Sequence, residues 1–150
     1  MADRSDRSSG MPPIDPEILA RAERAVAALG DGFTAQAQQA IDAQRECLND
    51  IAGLPDAEAL RGFFTFAHDL RGQGGSFGYP ALTAIGDTLC RFLEARDGRA
   101  VDGDDIVIRT HFDAAAAVLA GGVHDESDPV ARALVESLDQ LVRKRLTGQS

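Results

Sequence analysis

The 150-residue sequence predicts an all-α protein, an antiparallel up-down four-helix bundle with an extra helix at each end. Three observations carry this reading. Apolar residues recur at spacings of three and four over most of the chain, the period of helices with one buried face. No segment alternates apolar and polar residues as a half-buried strand would. The turns between periodic stretches are short and rich in proline and glycine, which favours antiparallel neighbours.

Residues 1–13, MADRSDRSSGMPP, are polar, charged and proline-terminated, and are expected to form a disordered tail. One domain is expected over residues 14–147, with the bundle core at about 33–121. Asp15-Pro16 opens the first helix, a capping residue followed by proline at the first helical position. Its stripe is Leu19, Ala22, Val26 and Leu29, and Gly30-Asp31-Gly32 should end it, with a kinked continuous helix as the alternative. The pattern resumes through Phe33, Ala37, Ile41, Leu48 and Ile51 and stops at Gly53-Leu54-Pro55. Asp56 caps a third helix running to about Phe77, and Gly78-Tyr79-Pro80 turns the chain into a fourth. That helix carries Leu82, Ile85, Leu89, Phe92 and Leu93 inward and ends at Asp97-Gly98. The fifth has Ile108, Phe112, Ala115 and Leu119 inward and closes at Gly121-Gly122. Asp128-Pro129 opens the sixth, with the stripe Val130, Leu134, Leu138 and Leu141.

The formal net charge of −9 argues against nucleic acid as a partner, since phosphate-backbone binding relies on a basic surface. The basic run Arg143-Lys144-Arg145 is what a helix C-terminus favours through its dipole. Cys47 and Cys90 form no CxxC motif, which suits a reducing compartment. No stretch approaches the ~18 consecutive apolar residues of a membrane span, and the N-terminus lacks an apolar signal segment. A soluble, cytoplasmic monomer with no membrane contact is expected.

The stretch from Phe63 to Pro80, FFTFAHDLRGQGGSFGYP, concentrates the chemistry. At 100° per residue, Ala59, Phe63, Phe66, Leu70 and Phe77 share one apolar side, and His68 points to the other. Arg61, Phe64, Thr65, Arg71, Gly72 and Gly75 lie around it. A glycine inside a helix costs roughly 1 kcal/mol relative to alanine, so Gly72 and Gly75, at i+4 and i+7 from His68, call for a reason. Clearing space for something large to approach the imidazole is one, while Gly74, on the flank, suits close packing against a neighbouring helix. Imidazole can attack phosphorus near neutral pH, the Arg71 guanidinium can neutralise phosphoryl oxygens, and Phe64 can anchor a partner surface.

Other chemistries find little footing. His111 lies at the edge of an apolar stripe, where a half-buried structural role is expected, and His124 sits in an acidic turn. Neither makes a metal-ligand spacing with His68, so no metal site is expected. The sequence contains no P-loop and no kinase-type glycine loop, so phosphate would have to come from another protein.

The run AHDLRGQGGSFG, Ala67 to Gly78, resembles the signature of histidine phosphotransfer (HPt) domains: a histidine, a basic residue at i+3, glycine at i+4, small residues, then an aromatic-glycine pair. The similarity is strongest over about residues 60–97. It implies a four-helix bundle with His68 phosphorylated on Nε2, Arg71 as the phosphate-facing cation, Gly72 and Gly75 as clearance residues and Gly78 in the turn. Arg71 stands where lysine is commoner. The position that often orients the histidine from the neighbouring helix falls near Cys90, with Asp87, Arg91 and Glu94 close by. The resemblance further implies a phosphorelay intermediate between receiver domains, one of them often fused to a hybrid histidine kinase. No cofactor of its own is expected, with Mg²⁺ on the receiver and no ATP site. The alternative is a helical interaction module that sequesters a receiver or another partner without being phosphorylated.

Overall fold

The computed structural model describes residues 15–122 and 127–148. The expected tail at 1–13, His124, and the side chains of residues 26–31 and 77 lie outside the described part. The described residues contain five α-helices and one 3₁₀ turn: α1 Pro16–Asp50, α2 Ala57–Gly74, the turn Gly75–Phe77, α3 Pro80–Arg96, α4 Asp104–Gly121 and α5 Pro129–Leu146. Among the described residues there is no strand.

The chain divides into two compact units, one up to Gly32 and one from Phe33 onward. In the first, the described residues belong almost wholly to α1, and Ile18 and Leu19 are exposed. The helix passes through Gly30 and Gly32 without ending. A glycine stops a helix where it turns left-handed; in helical conformation it only weakens the helix, by roughly 1 kcal/mol. The left-handed glycine is Gly53, at φ +90°, and there α1 has ended.

The second unit holds the core. Its boundaries follow local rules: Asp56 caps α2 by accepting the Ala59 N–H at 2.8 Å, and Asp128 caps α5 by accepting those of Val130 and Ala131. Pro80 and Pro129 stand in the first turns of α3 and α5. Phe33, Ala37, Ile41 and Leu48 of α1 are buried. Phe63 and Phe66 of α2 meet Phe112 of α4 edge-on, each with ring centroids 5.6 Å apart. Helix α3 packs against α2, α4 and α5.

The stripe of α5 is rotated from the expected one. Ala131, Leu138 and Val142 are buried, Leu134 and Leu141 are half-buried, and Val130 is exposed. The rotation brings Arg145 inward, where its Nε donates to Asp104 at 3.0 Å. The Asp104 carboxylate also accepts from Arg96 Nε and Nη2 and from the Val101 N–H, and it is 1 % exposed. Burial alone would raise its pKa, but the hydrogen bonds from Arg96, Val101 and Arg145 outweigh that and hold it below the usual carboxylate range. One carboxylate therefore ties the end of α3, the start of α4 and the end of α5.

His111, expected to be half-buried, is fully buried in α4. Its Nδ1–H donates to the Val107 carbonyl at 2.8 Å, which leaves Nε2 as a buried acceptor with no partner among the described residues. Burial pushes its pKa down to about 4, against the opposing pull of the Val107 bond. Because the folded value lies below the unfolded one, the unfolded chain takes up the proton first. The stability held by neutral His111 is full above about pH 6.5 and drains as pH falls towards 4. Urea unfolding should show a loss of about 2 kcal/mol between pH 7 and pH 5, and His111→Leu should flatten that part of the profile.

Candidate functional site

The stretch around His68 is helical because Asp56 caps it and apolar residues recur through it. Leu60, Phe63, Ala67, Leu70 and Gly74 are its buried residues. This stripe lies slightly to one side of the expected one: Ala67, next to the histidine, is fully buried, while Ala59 and Phe66 are only half-buried. His68 is thrown outward, with its side chain 58 % exposed.

Among the described residues the imidazole has no hydrogen-bond partner. Asp69 Oδ1 lies 4.0 Å from Nδ1, beyond hydrogen-bond range. The Phe64 ring is 6.2 Å away between centroids. Phe64 itself, expected on the exposed face, is half-buried and packed against the core. Beside it an open groove of about 610 Å³ is lined by Leu60, Arg61, Phe64, Leu93, Glu94 and Asp97, among others.

The glycines have separate tasks. Gly72 is exposed, and a Cβ there would meet nothing within 4 Å, so the fold does not require glycine at that position. A Cβ on Gly75 would stand 3.3 Å from Thr83 Oγ1, the same hydroxyl that accepts the Gly75 N–H at 2.8 Å. Gly75 is thus exposed but also fastened to α3. Gly74 is buried, with Leu82 Cβ and the Thr83 nitrogen each 2.8 Å from where its Cβ would be. Gly78 takes φ +87°, a left-handed turn that glycine tolerates best.

Sequence reasoning missed Gly86. A Cβ there would lie 2.6 Å from the Arg71 nitrogen and 2.7 Å from the Ala67 carbonyl oxygen. Helix α3 therefore rests directly on the α2 backbone across the turn that carries His68. The signal was available, since a lone glycine inside a strong helical pattern lowers helix propensity and needs a packing reason.

Arg71 follows His68 by three residues, the neighbouring position on a helix surface. Its Nη1 lies 3.5 Å from Asp87 Oδ1, and Asp87 Oδ2 lies 3.2 Å from Arg91 Nε. Cys90, expected opposite the histidine, is fully buried; burial raises its thiol pKa, partly offset by Arg71 and reinforced by Glu94 and Asp87. None of Asp87, Cys90, Arg91 and Glu94 hydrogen-bonds His68. Among the described residues, no three His, Cys, Asp or Glu side chains gather as metal ligands would, and no helix is long and apolar enough to cross a membrane.

An exposed imidazole with a cation one turn away has the chemistry of a nucleophile toward phosphorus, and residues 35–144 match the family model for the Hpt domain. The chain belongs to the Hpt domain family. No curated protein and no solved structure matches it. Hpt domains serve histidine phosphotransfer in two-component phosphorelays and interact there with receiver domains. In this Hpt domain the match covers the second half of α1 and all of α2, α3 and α4, together with most of α5.

The two open-and-closed glycines of the site make opposite predictions. Gly72→Ala should stabilise the domain by up to about 1 kcal/mol through helix propensity. Gly86→Ala should destabilise it by about 1–3 kcal/mol, because the added methyl meets backbone that cannot step aside. Paired urea unfolding curves check both signs.

Proposed function

We propose that this Hpt domain is a phosphorelay intermediate in which His68 is the phosphoacceptor. The single observation that carries the reading is the outward imidazole of His68, without a hydrogen bond among the described residues and with Arg71 one turn on, in a chain of this family. The bundle is read as an antiparallel up-down arrangement of the second half of α1 with α2, α3 and α4.

Chemically, the Nε2 lone pair attacks the phosphorus of a receiver's aspartyl phosphate. The N–P bond forms as the acyl P–O bond breaks, and the electron pair leaves with the receiver's carboxylate. The phosphohistidine then gives the group to the aspartate of a second receiver by the reverse exchange. Phosphoryl transfer depends mainly on positioning and charge stabilisation. The carrier's share is an exposed nucleophile, the Arg71 cation, and a docking face made by Phe64, Gly72 and Gly75. Mg²⁺ belongs to the receiver. The domain is read as a cytoplasmic monomer without an ATP site, whose donor is a receiver, including one fused to a hybrid histidine kinase.

Gly72 supports the docking assignment from an independent side. Neither packing nor backbone conformation asks for glycine there, and helix propensity opposes it. A requirement for open surface above the helix accounts for it.

Incubation with a phosphorylated receiver should put an acid-labile, base-stable label on the wild-type protein and none on His68→Gln, which should keep its helical circular dichroism. Label retained in that variant would remove His68 from the mechanism, and binding of the receiver with no label on wild type would favour a sequestering module. Gly72→Leu should fold normally yet slow transfer by about tenfold or more, the cost of a clash worth at least ~1.4 kcal/mol at the docking face.

A further inference from the structure

Arg71 is the first member of a string of alternating charges that crosses three helices. Its Nη1 lies 3.5 Å from Asp87 Oδ1; Asp87 Oδ2 lies 3.2 Å from Arg91 Nε; Arg91 Nη2 lies 3.1 Å from Asp139 Oδ1; and Asp139 Oδ2 lies 3.0 Å from Arg143 Nε. The link between Arg71 and Asp87 is the longest of the four. It is also the one whose arginine follows His68 by three residues on the same helix, and both of its side chains are well exposed, at 38 % and 45 %. With Gly75, Pro80, Thr83 and Ala84 the pair lines an open groove of about 420 Å³, so the guanidinium has room to move.

The count of charges matters. The string holds three arginines and two aspartates. If Arg71 leaves, Asp87 keeps Arg91, and Asp139 keeps Arg91 and Arg143. No carboxylate is stranded, so the link can open without leaving an uncompensated charge. Exposed ion pairs of this kind also contribute little in water. A phosphoryl group on His68 brings about two negative charges and three acceptor oxygens, a stronger partner for a guanidinium than one carboxylate at 3.5 Å.

We propose that Asp87 is a positioning residue for the transfer: it holds the Arg71 guanidinium beside His68 while the imidazole is unmodified and yields it when the phosphoryl group arrives. The proposal rests on the reading of His68 as the acceptor. No covalent bond or proton moves at Asp87; Arg71 changes partner while the N–P bond forms at His68. Asp87 thereby competes with the phosphoryl group for Arg71, which weakens the phosphohistidine and keeps the group easy to pass on.

The test is the equilibrium between phosphorylated receiver and phosphorylated carrier, measured by partition of label, for wild type, Asp87→Asn, Arg71→Gln and the double variant. Asp87→Asn should shift the equilibrium towards the carrier by about twofold to fivefold, the range of an exposed ion pair. The same substitution should have no effect in the Arg71→Gln background, and Asp87→Glu should restore the wild-type value. An unchanged or reversed shift, or an equal shift with and without Arg71, would overturn the proposal. A structural role alone would change the unfolding midpoint without that dependence on Arg71. If wild type takes no label on His68, the acceptor reading falls and this proposal with it; if the label appears but the Arg71-dependent shift does not, only the proposal falls.

Discussion

The contact on which the rest of the site depends is the seating of Gly86 against the α2 backbone between Ala67 and Arg71. With no Cβ at Gly86, α3 lies directly on the turn that carries the candidate acceptor, and a second close contact at Gly74 holds the far end of the same pair. Two such contacts fix both the separation of the helices and their register. That register sets Asp87, the residue after Gly86, within reach of Arg71, and buries Cys90 one turn later. The placement of His68 and Arg71 is thus a consequence of helix packing.

Polar interactions then attach α5 to this pair at two points. Arg91 and Asp139 join α3 to α5 near the site, and Arg96, Asp104 and Arg145 join α3, α4 and α5 at a buried carboxylate. The two clusters differ in kind. Asp104 is almost fully buried and accepts four hydrogen bonds, so removing either arginine would leave a charge poorly compensated in the interior. The string at Arg71 is exposed, with longer contacts, and can exchange partners at little cost. Rigidity is placed away from the face and adaptability on it.

Much of this was legible in the residues. Helix starts at Pro16, Asp56, Pro80 and Asp128 and the stops near Gly53 and Gly78 follow capping and backbone rules that act within a few residues, and the structure places them there. The outward position of His68 follows from periodicity alone. What escaped depends on a second helix. Gly30 and Gly32 look like a stop, but whether a glycine turns left-handed is not decided by its identity. The stripe of α5 was misplaced because Val130 and Ala131 differ by one position, and which of them faces inward is decided by packing against the other helices and by the Arg145–Asp104 contact. Gly86 stood out as a lone glycine inside a strong helical pattern, but its task is defined by the backbone of another helix, which the sequence does not name. Phe64 was assigned wholly to the surface, though a large ring one position from the buried Phe63 can cover the core edge and still face a groove.

A phosphate carrier has to reconcile a nucleophile that a partner can reach with one held in a defined place. Enzymes often solve this by hydrogen-bonding the ring of the reacting histidine to a carboxylate or carbonyl. Among the described residues no such bond is made to His68, and Asp69 is too far to supply one. Order comes from behind: the backbone under His68 is clamped by Gly86, its neighbour Ala67 is sealed in the core, and Phe64 stands one turn before it. Among the described residues neither ring nitrogen is engaged in a hydrogen bond, which leaves both to whatever docks. On the phosphorelay reading, the last few degrees of orientation are set by the partner. The carrier then has no stake in holding the phosphoryl group once the partner departs, beyond the attraction of Arg71. A carrier that must release to a second protein what it took from a first gains from having its strongest contacts in its own interior and its weakest at the face it shares.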